Sequence, residues 1–298
     1  MRVPSLTTGC VLLVLVGQTS RIAAQTESRT IRGTGLDVDL YGNMYVIDAA
    51  QDILRLHAPD MSLVREIGGP GWGNDQFDNP SGVWARNGID VFVADYQNHR
   101  VQRFDRHLNF VSSFSTRDSD VPDDRFGYPV DVALSRLGEL YICDGENSRI
   151  VKVDGLSRVE RTFGGFGAGK GRLEKPTRVE IGPKDHVIVL DGPRVVEFDS
   201  FGNFIRELGE GITKTPVGIF ADAAGVAVMD STRLYCFDAE ERPDGTFLLS
   251  SLLNLPGGQT GSFVFGGGNL YLLSESGLTV VPDPRPSRHI GGRDERIR

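Results

Sequence analysis

The sequence predicts an all-β chain, a six-bladed β-propeller of four-stranded antiparallel blades. Three observations carry this. A four-residue phrase, three apolar residues and then Asp, recurs along the chain, as YVID at Asp48, FVAD at Asp95, YICD at Asp144, IVLD at Asp191 and AVMD at Asp230, with a sixth copy, YLLS, ending at Ser274. The spacings are 47, 49, 47, 39 and 44 residues. A second apolar run follows each turn: ILRL from Ile53, VQRF from Val101, IVKV from Ile150, VVEF from Val195, LYCF from Leu234 and LTVV from Leu278. These runs are short, β-branched and aromatic, and bounded by Gly, Pro, Asn and Asp, which are strand and hairpin signals. No segment keeps the 3.6-residue periodicity of a helical solenoid.

Two further elements complete each unit. A β-branched stretch precedes the pair, at Leu36, Ser81, Val130, Thr177, Val217 and Ser262. Another follows it: VREIGG from Val64, VSSF from Val111, RTFGG from Arg161, IREL from Ile205, SLLNL from Ser251 and RHIGG from Arg288. One such sheet cannot bury both faces alone, but six arranged radially cover one another and close. Two segments compete for the strand that closes the ring: Ser28–Arg32 and Arg288–Gly292, each similar to the fourth phrase.

The N-terminus stands apart. Arg2 is the only charge before Arg21, Val11 to Val16 reads VLLVLV, and Ala23-Ala24 supplies small residues before Gln25. That is a secretory signal pattern over residues 1–24. Cys10 precedes the apolar run, so it is not placed for lipid attachment. The propeller is expected over 25–292, with a charged tail at 293–298, in a chain exported to the periplasm or the extracellular space. No other stretch is apolar enough to span a membrane. Removing residues 1–24 takes the formal net charge from −8 to −10. An acidic balance argues against a nucleic-acid surface, which needs clustered Lys and Arg.

The phrase P-x-G-V…VFVADYQNHRVQRFD, with Gly-rich loops such as Gly68-Gly69-Pro70-Gly71-Trp72-Gly73 through Phe77 and Gly164-Gly165-Phe166-Gly167 through Leu173, resembles the NHL repeat family. The resemblance covers residues 33–292. It implies a stand-alone propeller that binds protein, peptide or glycan ligands. Some NHL proteins carry a RING finger and bind RNA, but three cysteines are too few for a RING. The peptidyl-amidoglycolate lyases are an enzymatic family of similar propellers, whose zinc histidines follow the Pro that opens an inner strand. Here those places hold Ser81, Val130, Thr177 and Val217, with Thr34 before Gly35, and none of the five histidines stands there. The lyase site of that kind is therefore not expected.

With strands lettered A to D from the axis outwards, the D-to-A loops and B-to-C turns share one face. Trp72, Phe77, Tyr96, Asn98, His99, Asn147, Phe166 and Arg172 are its candidate ligand-binding residues, because interfaces favour aromatic and Arg anchors. The Asp ending strand B recurs with an Arg opening strand C: Asp95 with Arg100, Asp144 with Arg149, Asp191 with Arg194 and Asp230 with Arg233. Recurrence points to hairpin-holding ion pairs rather than to catalysis. Asp37, Asp131 and Arg178 interrupt the inner strands and are expected at the mouth of the central channel. They make the channel the place for the alternative function, a metal-dependent hydrolase or lyase. The Asp-rich segment 117–124 offers oxygens for Ca²⁺ or another divalent cation, without the EF-hand pattern. No G-x-S-x-G, H-E-x-x-H or C-x-x-C occurs. Cys143 and Cys236 fall in non-adjacent blades, too far apart for a disulfide, which needs Cα atoms within about 7 Å.

Overall fold

The structure is a computed structural model that describes residues 27–29, 31–155, 158–211, 215–240, 242–253 and 260–285. The expected leader, the charged tail and the Arg288–Gly292 segment lie outside these residues. The described strands form six four-stranded sheets. They run from β1 (Glu27–Arg29) into blade one, with β2 (Gly35–Val38), β3 (Met44–Asp48), β4 (Ile53–His57) and β5 (Leu63–Gly68). Blade two has β6 (Pro80–Trp84), β7 (Asp90–Asp95), β8 (Arg100–Asp105) and β9 (Phe110–Phe114). Blade three has β10 (Pro129–Leu134), β11 (Leu140–Asp144), β12 (Arg149–Asp154) and β13 (Arg158–Phe163). Blade four has β14 (Pro176–Ile181), β15 (Val187–Asp191), β16 (Arg194–Phe198) and β17 (Phe204–Leu208). Blade five has β18 (Gly218–Asp222), β19 (Gly225–Met229), β20 (Arg233–Phe237) and β21 (Pro243–Leu248), followed by a short helix α1 (Leu249–Leu253). Blade six has β22 (Thr260–Gly266), β23 (Asn269–Ser274) and β24 (Gly277–Pro282), with β1 as its outer strand.

Each sheet is a meander, and the innermost strands β2, β6, β10, β14, β18 and β22 stand side by side around the axis, β22 against β2. The second strands are buried along their whole length in blades one, three, four and five, which is why they read as unbroken apolar runs. Outer strands such as β5 and β9 face solvent and read polar. The N-terminal segment closes the ring. Ser28 lies opposite Thr279, so blade six joins the start of the chain to its last repeat.

One strand is not where the sequence pattern put it. The apolar phrase beginning at Ser251 falls on α1 and beyond, and the outer strand of blade five is β21. Asp238 is the cause. Its carboxylate accepts the backbone N–H groups of Glu240 and Arg242, which turns the chain at once and sets Pro243 opposite Phe237. Leu249 and Leu252 then pack inwards from the helix.

In blades two, three, four and six the inner strand opens with a bulge, as between Pro80 and Gly82 or Pro129 and Asp131. The bulge re-aims the next side chain into the gap between blades. At Gly82 that gap is already filled. A Cβ there would stand 2.3 Å from Asp131 Oδ1 and 2.8 Å from its Cα. Gly82→Ala must push blade three outwards. The expected cost is about 1–3 kcal/mol of stability, read as a lowered midpoint in urea unfolding.

Candidate functional site

The repeated Asp does more than pair with its Arg. Asp95 is fully buried, and one carboxylate oxygen accepts the Asp78 N–H at 2.8 Å, from the loop between β5 and β6. Its other oxygen accepts from Arg100 Nε at 2.7 Å and Asn98 Nδ2 at 2.9 Å. Arg100 then donates to the carbonyls of Trp72, Gly73 and Gln76 in that same loop. The pattern repeats. Asp144 takes the Gly127 N–H and Arg149, and Arg149 reaches the Arg125 carbonyl at 2.7 Å. Asp191 takes the Glu174 and Lys175 N–H groups and Arg194, which donates to the Arg172 carbonyl. Each pair is a peg that fixes a B-to-C turn and the preceding D-to-A loop as one unit, charge-assisted and anchored on a carboxylate shielded from water. In blade five the Asp230 carboxylate is occupied by Thr232, by Tyr235 Oη and by the backbone N–H of Arg233. The Arg233 contact is thus its main chain, and its side chain is exposed. Asp48 is held by Gln51 and, at 3.5 Å, by Arg55 from within β4.

These pegs hold up the face expected to bind. Trp72 is 68 % exposed and Phe166 86 %, both on Gly-rich loops. The Arg172 guanidinium lies 4.8 Å over the Phe166 ring. Asn147 is exposed with its Nδ2 on Asp144. Tyr96 is half-buried beside Tyr128, their rings 5.1 Å apart. Three expected face residues are elsewhere. Phe77 is in the core against Phe104, because Phe77 N–H and C=O bond back to Gly69 and Gly71 and fold the loop's end inwards. Asn98 is buried and committed to Gly71 O and Asp95. His99 is buried, its Nδ1 accepting the Tyr128 N–H at 3.1 Å. Burial, aided by nearby Arg117, pushes the His99 pKa down and keeps the ring neutral for that role.

The channel differs from the expected mouth. Register places Asp131 and Arg178 opposite Cys143 and Leu190, one layer in from the loop face. Asp37 lies opposite Tyr45, one layer deeper, level with Glu180 opposite Ile188. Asp37 accepts the Ala85 N–H at 2.7 Å and Asp131 the Val179 N–H at 3.0 Å, so each carboxylate staples its blade to the next. Arg86 crosses the floor. Its guanidinium meets Asp37 at 3.1 Å, Glu180 at 2.6 Å and the Ala221 carbonyl at 2.8 Å, and lies 4.3 Å over the Phe220 ring. One residue thus ties blades one, two, four and five together. Beyond it, Arg285 caps Phe265 at 3.8 Å and pairs with Asp222 and Asp283.

Burial raises the Asp131 pKa to about 6 against the pull of Arg178, and that of Glu180 to about 7 against the pull of Arg86. The space left among Ser81, Asp131, Arg178 and Glu180 is about 30 Å³. That suits one or two waters and is far below the size of an organic-ligand pocket. Among the described residues no three His, Cys, Asp or Glu side chains converge as metal ligands. The 117–124 loop is organised by its own chain, with Thr116 Oγ1 on the Asp124 carbonyl and Arg125 Nε on the Ser119 carbonyl. Cys143 and Cys236 are both buried free thiols.

Comparison with known proteins agrees with this geometry. The NHL repeat model matches residues 126–153, the inner three strands of blade three with the residues leading into them. The protein called brain tumor, from Drosophila melanogaster, is 30 % identical over 138 residues, 45 % of this chain and 13 % of that protein. The chain therefore spans a small part of that relative. Solved structures of similar shape include virginiamycin B lyase from Staphylococcus aureus, with a TM-score of 0.60 at 10 % identity, covering 87 % of this chain and 98 % of that one. A gluconolactonase from Xanthomonas campestris has a TM-score of 0.60 at 11 % identity, covering 87 % and 89 %. At such identities the likeness concerns the fold alone.

Proposed function

From the premise that this chain belongs to the NHL-repeat propeller family, we propose that it is a binding module. It is exported to the periplasm or beyond by residues 1–24, and meets a protein, peptide or glycan on the face of its Gly-rich loops. The observation that carries this reading is the exposure of Trp72 and Phe166 on loops that the buried Asp–Arg pegs hold rigid. A large aromatic in a fixed loop loses little entropy on binding and buries much area, which is how interface anchors work. The channel supports the same reading. Arg86 and its partners fill the floor, and the remaining space admits water rather than substrate. The raised carboxylates there follow from burial inside an ion network and need no catalytic role.

The test is an array of defined peptides and glycans probed with the chain and with the double variant Trp72→Ala/Phe166→Ala. Truncating an interface anchor costs about 2 kcal/mol or more, so the array signal is expected to fall by roughly tenfold or more. The thermal melt should barely move, since exposed substitutions stay within about 0.5 kcal/mol. Array signals unchanged in the double variant would refute the loop-face reading.

A further inference from the structure

The opposite face, made by the A-to-B and C-to-D turns, carries an apolar rim that the sequence reading did not single out. Leu40 and Tyr41 on the blade-one A-to-B turn are 60 % and 56 % exposed, Ile89 on the blade-two turn 66 %, and Leu137 on the blade-three turn 77 %. These three hairpin tips are successive around the axis. The first two touch, since a Cβ on Gly88 would stand 2.7 Å from the Tyr41 ring and 3.0 Å from Leu40. Exposed apolar side chains on three successive tips of one face, the first two in contact, mark something the domain meets.

The charges around the rim say what. Acidic residues of these turns are engaged in holding them, although Asp60 on the blade-one C-to-D turn is exposed. Asp39 accepts the N–H groups of Tyr41 and Asn43, and Asp105 those of His107 and Asn109. The exposed tips carry Arg106, whose guanidinium lies 5.8 Å over the Tyr41 ring, and Arg136 beside Leu137, which pairs with Asp185 at 3.3 Å. Lys184 is exposed on the neighbouring blade-four turn. Leu and Ile at protruding tips, an interfacial Tyr and the exposed cations Arg106 and Lys184 match a lipid headgroup boundary, with apolar atoms below and cations level with anionic headgroups. We propose that this face docks on an anionic lipid bilayer, with Leu40, Tyr41, Ile89 and Leu137 entering the headgroup region. The docked propeller presents its Gly-rich loops away from the membrane.

The experiment is co-sedimentation with vesicles of phosphatidylcholine alone and of phosphatidylcholine mixed with phosphatidylglycerol. It compares the chain, the triple variant Leu40→Ser/Ile89→Ser/Leu137→Ser and the double variant Arg106→Gln/Arg136→Gln. All three carry the same residues 1–24, so differences between them report the rim alone. The chain is expected to sediment with the mixed vesicles and much less with the neutral ones. The triple variant should partition on the order of a hundredfold more weakly, and the double variant roughly tenfold more weakly, with added salt acting in the same direction. Unchanged thermal melts show that both variants fold. The proposal is overturned if the chain does not sediment, or if it sediments equally in the triple variant. It is also overturned if the rim instead pairs two copies of the chain, seen as self-association without vesicles that the triple variant abolishes.

Discussion

Arg86→Met is expected to be among the most destabilising single substitutions in the chain. Asp37 and Glu180 are both buried, and Arg86 is the cation both carboxylates share. Removing one partner of a buried ion network leaves uncompensated charge, which costs about 3–5 kcal/mol. For a chain of this size the melting temperature should drop on the order of 10 °C. The pH dependence identifies the mechanism. Glu180 already has its pKa raised to about 7 by burial, and Asp37 is raised in the same direction. Without Arg86 both rise further, and the native state must hold protons that the unfolded chain releases. Native protons in excess of unfolded ones mean that stability falls as pH rises. The gap between variant and parent should therefore be smallest near pH 5 and widen through pH 7 to 8. A gap that is constant with pH would assign the loss to packing on Phe220 rather than to charge.

Asp95→Ala is the second large effect. It strands the Arg100 guanidinium and the Asp78 N–H, and frees the loop carrying Trp72. The expected loss is again about 3–5 kcal/mol, with Trp72 fluorescence and loop-face binding changing together. Arg233→Ala provides the contrast. Asp230 is already satisfied by Thr232 and Tyr235, so this change should stay within about 0.5 kcal/mol. Equal losses in the two variants would show that the pairs do not act as loop pegs.

Most of the fold is legible in the sequence because the repeat states the same physics six times. The Asp ending strand B and the Arg opening strand C recur together, and in blades two to four they prove to be one hydrogen-bonded unit with the preceding loop, Gly-rich in blades two and four. The outer strand of blade five was hidden because SLLNL is as apolar as a strand, whereas the deciding event is a turn made by one carboxylate, Asp238. Phe77 looked like a face aromatic, yet Phe126 and Leu173 end their loops in the same buried way. An apolar residue at that repeat position is the loop's plug, and comparison between repeats contains that signal. Glu180 was also within reach, standing two residues after Arg178 on the same side of a strand. Arg86 was not. The turn residues at its place in blades one and three, Leu40 and Arg136, point to solvent, and only the closed ring brings Arg86 under Glu180. For the same reason the apolar rim had no sequence signature, since a Leu at a hairpin tip is judged by its exposure.

The most direct test of the loop face as the binding surface is amide hydrogen exchange of the chain with and without a ligand selected from the array. Protection is expected in the loops that carry Trp72 and Phe166 and in the turn from Tyr96 to His99, with the inner strands unchanged. Protection confined to the inner strands around Asp37, Asp131 and Glu180 would contradict it and move the ligand into the channel.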